Sequence, residues 1–186
     1  MAWMLSEYSI ELARKQDLAL IPAIELAAAR LLAGYAPESV LADATSQEDL
    51  NQALGRGLLW VALKHDVPVG FAQVEQLEPK VSHLKEIDVL PEHGRRGLGT
   101  RLVQTVCKWA AESGLTAVTL TTFRDVPWNM PFYQRLGFNE IPAAEQSAAL
   151  IAVLEQEAAR GLDRTRRVAM RRSCNVHEFT VPPMLL

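Results

Sequence analysis

The sequence of 186 residues predicts an α/β domain of the α+β kind, with a mixed, mostly antiparallel central sheet and helices on both faces. Apolar runs joined by a short turn in the first half indicate antiparallel strands. A strand, a helix and a second strand follow one another in the middle of the chain and indicate a parallel pair. The chain is 49% hydrophobic and 22% charged, which is typical of a folded globular protein.

The first half of the chain predicts two helices and three strands. The expected elements are a strand over Tyr8–Ala13, helices over Leu18–Leu32 and Gln47–Gly55, and strands over Leu58–Lys64 and Val69–Gln76. The segment His65-Asp-Val-Pro68 supplies the hairpin turn between the last two strands.

A central strand is predicted over Val81–Val89, where alternate residues share a face of the sheet. This alternation places His83 with Ile87 and Val89, and it places Glu86 and Asp88 on the opposite face. The strand ends before Pro91, because proline interrupts backbone pairing. Apolar residues spaced by three or four then predict a helix from Leu98 that Gly114 ends.

The remaining chain predicts a small set of further elements. They are a strand over Ala117–Thr121, a short helix, a strand around Phe138, a helix over Glu145–Arg160 and a last strand over Arg166–Arg171. We expect one domain over residues 1–172. The tail 173–186 is either an interaction arm or a loose end.

The turn between the central strand and its helix has the composition of a pyrophosphate site. Gly97 and Gly99 lack a Cβ, so amides at the helix start can approach an anion closely. Cationic side chains crowd the same segment: His93, Arg95, Arg96 and Arg101. The alternative is an ordinary strand-to-helix connection on a solvated basic face. The flanking strand and helix favour phosphate binding.

Two common phosphate motifs are excluded by the residues after these glycines. A P-loop requires Gly-Lys-Ser/Thr, whereas Gly99 is followed by Thr-Arg. The dinucleotide fingerprint requires a third glycine three residues on, whereas residue 102 is leucine.

The segment resembles the cofactor motif of the GNAT superfamily, Gln/Arg-x-x-Gly-x-Gly/Ala, aligned on Gly97 and Gly99. Gly94 stands where that family has Gln or Arg, which puts one side-chain contact in doubt and leaves the backbone contacts. The stretch Thr119–Phe138 is similar to a second family motif, an Asn-bearing turn and a helix ending in Tyr-x-x-x-Gly-Phe. The resemblance covers residues 57–140 with good motifs.

The resemblance implies an N-acetyltransferase that uses acetyl-CoA as cosubstrate and no metal. It implies that backbone amides around the turn hold the pyrophosphate, and that a splayed central strand pairs with the pantetheine arm. The implied cofactor-binding residues are Ile87, Asp88, Val89, Arg95, Arg96, Gly97, Leu98, Gly99, Thr100, Asn129 and Phe132. Asn129 has a second interpretation as a helix N-cap, which does not exclude the first.

Acetyl transfer to an amine needs proton handling, since an alkylammonium of pKa near 10.4 is only about 0.04% neutral at pH 7. By resemblance, Tyr133 is the general acid for the departing thiolate and His83 is the candidate base. Glu86 is the weaker alternative base, and water is a third. The structural alternatives are a packed strand histidine and a helix tyrosine half-buried beside Phe132 and Phe138.

Recognition of the acceptor is expected from residues 24–49, where Glu25, Glu38 and Asp43 could attract a cationic amine. The alternative is that these carboxylates are simply solvated. The acceptor is either a small-molecule amine or a peptide amine, and the sequence does not separate them. A binding or scaffold module for CoA esters with little catalysis is the alternative function.

Composition limits the classes of partner and the cellular compartment that we expect. The net charge of −3 argues against nucleic acid, and no apolar run is long enough for a membrane span. Cys107 and Cys174 form neither a disulfide framework nor a metal site. We expect a soluble cytoplasmic protein without a membrane partner, and a homodimer is compatible with the sequence.

Overall fold

The computed structural model describes residues 7–174, and its centre is a seven-stranded sheet. In chain order the strands are β1 Tyr8–Leu12, β2 Leu59–Lys64, β3 Val67–Glu78, β4 Val81–Val89, β5 Ala117–Phe123, β6 Asn139–Glu140 and β7 Arg167–Ser173. They are arranged in the order β1-β2-β3-β4-β5-β7-β6. Among these seven strands only β4 and β5 are parallel neighbours, so the predicted mixed, mostly antiparallel sheet is confirmed.

Within the described residues, six α-helices accompany the sheet. They are α1 Ile21–Ala29, α2 Glu38–Leu41, α3 Gln47–Gly55, α4 Leu98–Glu112, α5 Asn129–Arg135 and α6 Ala148–Ala159. The apolar stripe of α4, with Leu102 and Val106 fully buried, packs on one face together with α5. On the other face, α1 and α3 cover β2 and β3, and α6 covers β7. Helices therefore cover both faces, as predicted.

A β-bulge in β4 determines which residues face the site. Leu84 lies opposite Val74 of β3, but Glu86 lies opposite Gln73, so Lys85 is an extra residue in β4. Because opposed residues share a face and the extra residue shifts the alternation, Leu84 and Glu86 lie on opposite faces. The prediction that His83 shares a face with Ile87 and Val89 is therefore wrong.

After the bulge, the two faces of β4 have different chemistry. Ile87 and Val89 pack on the α4 side. Glu86 and Asp88 face the α1 side, since Asp88 is opposite Phe71, which belongs to the core beneath α1. His83 lies on this same side, because Leu84 next to it faces α4. The bulge thus collects His83, Glu86 and Asp88 on one face.

Strands β4 and β5 separate beyond Leu84 and Leu120, which are their last paired residues. Beyond this point β4 continues to Val89 paired only with β3, and β5 continues to Phe123 paired only with β7. The backbone edges of Ile87, Asp88 and Val89 that face β5 are therefore not used by that strand. The result is a V-shaped gap, as expected for a splayed central pair.

Several boundaries differ from the sequence predictions for physical reasons. The helix predicted over 18–32 is divided into a 3-10 turn, α1 and a second 3-10 turn, because Pro22 fits only the first turn of an α-helix. Helix α6 begins after Ser147, whose hydroxyl caps the amide of Leu150. Ser173 belongs to β7, so the predicted tail begins later than residue 173. Residues 175–186 of that tail lie outside the described residues.

Within residues 7–174, no helix is both long enough and apolar enough to span a bilayer.

Candidate active site

The predicted phosphate turn lies directly before α4 and leads into its first turn. Gly97 is the N-cap in the left-handed region, with φ of 77°, and it offers no capping side chain. The first amides of an α-helix have no acceptor within the helix. Together with the positive end of the helix dipole, these amides suit an anion such as a pyrophosphate.

Gly99 lies where α5 packs against the turn. A Cβ added at Gly99 would lie 3.4 Å from Cζ of Phe132, so a larger side chain would displace the ring. Phe132 in turn stacks edge-on against Tyr133, with ring centroids 5.0 Å apart. The phosphate turn and the Tyr133 motif therefore form one continuous wall of the gap.

The cations predicted around the turn do not all face it. Arg95, whose φ is 55°, and Arg96 are exposed beside the amides. Arg101 instead donates from Nη2 to the carbonyl oxygen of Tyr8 at 3.1 Å. His93 lies 2.9 Å from the Tyr8 hydroxyl through Nδ1. Arg101 and His93 therefore both contact β1 through Tyr8, and Nη1 of Arg101 is buried without a hydrogen-bond partner among the described residues.

Asn129 begins α5 but does not cap it. The N-cap is Trp128, and no side chain caps that end. The half-buried Asn129 lies just after the open end of β5, and its backbone N–H donates to the carbonyl oxygen of Val126 at 3.1 Å. The N-cap interpretation is therefore wrong, and the side chain is not engaged in capping.

Glu86 has the properties of a general base at neutral pH. Burial raises its pKa to about 7, and the negative charge of Glu25 contributes to the rise. Asp88 is affected in the same way, since burial and the charges of Glu86 and Glu25 raise its pKa well above the usual range. A carboxylate of pKa near 7 is half ionised at physiological pH and can accept a proton there.

Tyr133 approaches the gap from the α4 side, where it packs with Phe132 and Phe138. Burial raises its pKa above the usual value, and the charges of Glu86 and Asp88 raise it further. Tyr133 packs on the α4 side of the sheet, whereas Glu86 and Asp88 face the α1 side of β4. At neutral pH the phenol keeps its proton and can therefore act as a proton donor.

His83 lies in the paired part of β4, before the gap opens. It is 2% exposed, and its Nδ1 is 3.0 Å from the Thr119 hydroxyl, which itself donates to the carbonyl oxygen of Ser82. Burial lowers the pKa of His83 to about 4. A buried imidazole with so low a pKa is a weak proton acceptor at pH 7, so Glu86 is the better candidate base.

The three acidic residues predicted to recognise the acceptor differ in their burial and contacts. Glu25 is buried on α1, and its carboxylate accepts from the amide of Thr45 at 2.8 Å and from its hydroxyl at 3.2 Å. Asp43 accepts from Nη2 of Arg160 at 2.8 Å. Glu38 is exposed on α2. Of the three, Glu25 is the one whose charge raises the pKa of both carboxylates of β4.

A buried polar network beside the gap was not predicted. Arg167 forms a two-point ion pair with Glu157, and Nη2 of Arg167 also donates to the Thr121 hydroxyl at 3.1 Å. The Thr121 hydroxyl donates to Glu157 as well. The guanidinium lies over the Phe123 ring, 4.7 Å from its centroid. These residues come from β5, α6 and β7, so no sequence spacing signals their meeting.

A second group of contacts joins the loop after α1 to the chain that leads into β7. Arg166 donates through Nη1 to the carbonyl oxygen of Tyr35 at 2.6 Å and through Nε to Asp125 at 2.7 Å. Between these segments lies a cavity of about 250 Å³. It is lined by residues 34–37, Phe123, residues 161–163 and Arg166. Together with the Arg160–Asp43 pair, these contacts connect residues 35–43 to residues 160–166 near the end of β5.

The family assignment rests on a sequence match. Residues 26–138, more than half of the chain, match the model of the acetyltransferase (GNAT) family. The chain belongs to the GNAT family. The matched range begins in α1, includes the phosphate turn and ends at Phe138, so it contains each element that forms the gap.

Solved structures agree with the GNAT fold. PaiA N-acetyltransferase of Thermoplasma acidophilum, in complex with coenzyme A, has a TM-score of 0.71 at 16% identity over 89% of this chain and 98% of its own. The ribosomal-protein-S18-alanine N-acetyltransferase of Escherichia coli has a TM-score of 0.64 at 17% identity, and the match covers 96% of this chain and 99% of its own. N-acetylglutamate synthase of Neisseria gonorrhoeae, complexed with coenzyme A and N-acetyl-glutamate, has a TM-score of 0.68 at 16% identity, and the match covers 90% of this chain and 35% of its own.

Proposed function

We propose that this GNAT protein is an N-acetyltransferase that transfers the acetyl group of acetyl-CoA to a primary amine by direct attack. The observation that carries the proposal is the gap between the diverging ends of β4 and β5, with Glu86 on the α1 side of β4 and Tyr133 packed on the α4 side. Glu86 is a carboxylate whose pKa burial raises to about 7, and Tyr133 is a phenol that keeps its proton at neutral pH. A proton acceptor and a proton donor assist acetyl transfer to an amine.

The cosubstrate is accommodated by groups that the fold leaves unused. Amides from Arg95 to Thr100 would hold the pyrophosphate, with Arg95 and Arg96 beside them. The backbone of residues 87–89 would pair with the pantetheine arm, and Asn129 and Phe132 would line its path. The left-handed Gly97 fits this use, because a residue with a Cβ would be strained at its φ of 77°. At Gly99, an added Cβ would touch Phe132 at 3.4 Å, and a longer side chain would press on the ring.

The proton balance assigns a role to each side chain. Glu86 takes one proton from the ammonium, directly or through water, and the free nitrogen then attacks the thioester carbonyl carbon. The C–N bond forms and the C–S bond breaks, with its electron pair going to sulfur. Tyr133 gives its proton to that sulfur and regains one from the nitrogen. The sum is acetyl-CoA and an ammonium giving an N-acetyl amine, CoA and one proton.

The acceptor is proposed to be a small molecule rather than an extended peptide. Arg166 joins the loop after α1 to the segment before β7, and Arg160 pairs with Asp43 on the same side. In this proposal the bridges restrict the entry of an extended peptide. The cavity of about 250 Å³ between the bridged segments has none of Glu86, Asp88 and Tyr133 in its lining, so it is not itself the proposed reaction site.

Release of CoA thiol, followed with a chromogenic thiol reagent over a panel of amines, tests the proposal. Tyr133→Phe is expected to lower kcat by about 100-fold or more, the usual range for a lost general acid. Its Kd for CoA, measured by calorimetry, should stay close to that of the wild type. Full turnover in Tyr133→Phe would contradict the assignment of the acid. Tight CoA binding without turnover on any small amine or peptide would favour a binding module.

A further inference from the structure

The candidate active site carries more carboxylates than the proposed reaction needs. One carboxylate, Glu86, suffices to accept the proton of the acceptor amine. Asp88 lies on the same face of β4, two residues further on. Glu25 approaches from α1, which packs on β3 and β4, and its charge acts on both strand carboxylates. Two acidic groups therefore remain without a role in proton transfer.

The protein's own cations do not neutralise this excess charge. Among residues 7–174, none of the three carboxylates forms an ion pair with a lysine, arginine or histidine. The cations nearby are paired elsewhere: Arg160 with Asp43, Arg167 with Glu157, and Lys85 with Asp49. The three carboxylates are therefore free to pair with a cationic ligand, whose charge would favour their ionised form.

The spacing of the carboxylates suits an extended organic cation. Within the described residues, no three His, Cys, Asp or Glu side chains are grouped closely enough to hold a metal ion. Glu86 and Asp88 are two residues apart on a strand, so their backbone positions differ by about 7 Å. A cation with two separated charges matches this spacing better than a single ion does.

Gln73 adds an independent sign of a hydrogen-bond donor in the same place. It is 3% exposed and lies directly opposite Glu86 on β3, so the two side chains share a face. Its Oε1 is buried and has no hydrogen-bond partner among the described residues. Buried carbonyl oxygens in proteins almost always have a donor. The N–H groups of an ammonium would supply one.

Building on the proposed acetyltransferase function, we infer that the acceptor is a short diamine. Its reacting amine lies at Glu86, and its second ammonium is held by Glu25 and Asp88 and donates to Oε1 of Gln73. Both carboxylate oxygens of Glu25 already accept a bond from Thr45, which fixes the group and leaves further lone pairs for the ligand. An acceptor with its own carboxylate, such as an amino acid, would be repelled.

The test compares 1,4-diaminobutane with 1-aminobutane, which has the same carbon chain and one charge fewer. With saturating acetyl-CoA, kcat/KM from thiol release should be roughly 30-fold higher for the diamine, as expected for charged hydrogen bonds to a second ammonium. Calorimetry with CoA present should show diamine binding that weakens with added NaCl. Glycine and glutamate should be poor acceptors.

Variants test whether Glu25 and Gln73 bind the second ammonium. Glu25→Gln and Gln73→Leu should each reduce the ratio of diamine to monoamine kcat/KM toward one, whereas Glu155→Gln, on the exposed side of α6, should keep it. Equal kcat/KM for the two amines in the wild type would overturn the diamine inference and leave the acetyltransferase proposal standing. No turnover with any amine or peptide would instead count against the proposed function. The ratio of diamine to monoamine kcat/KM is first measured on the wild type, so a variant that fails to fold does not weaken the test.

Discussion

Arg167 and Glu157 form a two-point ion pair next to the open end of β5, with Nη2 to Oε1 at 2.8 Å and Nε to Oε2 at 3.0 Å. The two side chains are only 9% and 16% exposed. The charge of Arg167 also acts on Glu86, whose pKa it lowers. The pair therefore connects the packing of α6 to the proton chemistry of the site.

Replacing Arg167 by Met should affect stability and pH dependence together. Glu157 would keep the Thr121 hydroxyl as a donor but would lose its charged partner in a largely buried position, which costs about 3 kcal/mol in the free energy of unfolding, measured with urea. Loss of the positive charge should raise the pKa of Glu86, so the acid limb of kcat/KM should move to higher pH. Arg171→Met, exposed on the same strand, is the control and should change neither. If the acid limb of kcat/KM did not move, the charge of Arg167 would have no effect on the pKa of Glu86.

Glu86→Gln tests the proposed base directly. Since the pKa of Glu86 is about 7, wild-type kcat/KM should fall as the pH drops below 7. The amide cannot accept the proton, so we expect a loss of about 100-fold or more at pH 7 and no acid limb at that pKa. Thiol release from pH 5.5 to 9 measures both. If His83 were the base, Glu86→Gln would keep the limb and His83→Asn would remove it.

A larger side chain at the phosphate turn should weaken CoA binding. Valine at residue 99 would press on Phe132, which already lies 3.4 Å from the position of a Cβ there. We expect Gly99→Val to raise the Kd for CoA by roughly tenfold, as overpacking typically costs 1–3 kcal/mol. Gly55→Ala is the matched control, because nothing lies within 4 Å of its added Cβ. Calorimetric Kd values that stay equal in both variants would contradict the role of Gly99.

His83 should destabilise the fold in acid. Its pKa is about 4 in the native state and near 6.5 when unfolded, so the unfolded chain binds a proton first as the pH falls. His83 therefore leaves the free energy of unfolding unchanged above pH 6.5 and lowers it between pH 6.5 and 4, by about 3 kcal/mol in total.

The comparison with His83→Asn isolates this effect. Protonation of Glu86 and Asp88 acts in the opposite sense, since their raised pKa values favour the native state as the pH falls, but it is common to both proteins. Urea unfolding at several pH values should therefore show the wild type losing stability relative to His83→Asn below pH 6.5. A constant difference would contradict the low pKa of His83.

The sequence predicts well what depends on neighbours along the chain. The bounds of β4 and α3 agree with the periodic patterns, and α4 begins at the predicted Leu98. The gap between β4 and β5 lies where the family resemblance implies it. These features follow from local patterning and from two motifs of fixed spacing.

The rest depends on tertiary register, which no local pattern contains. The extra residue Lys85 becomes visible only when β4 is aligned with β3. Arg101 turns toward Tyr8 because β1 lies beside α4, and sequence proximity to the turn does not reveal this. The Thr121, Glu157 and Arg167 network combines three distant segments in the same way.

The bulge at Lys85 means that the pairing of β4 with β3 tolerates the loss of that one residue. With Lys85 deleted, Leu84 and Glu86 would be consecutive, would stay opposite Val74 and Gln73, and would still face opposite sides of the sheet. Deleting Ile87 instead would turn Asp88 toward the apolar layer beneath α4. The position of a single-residue deletion relative to the bulge therefore decides whether the two faces of β4 keep their chemistry.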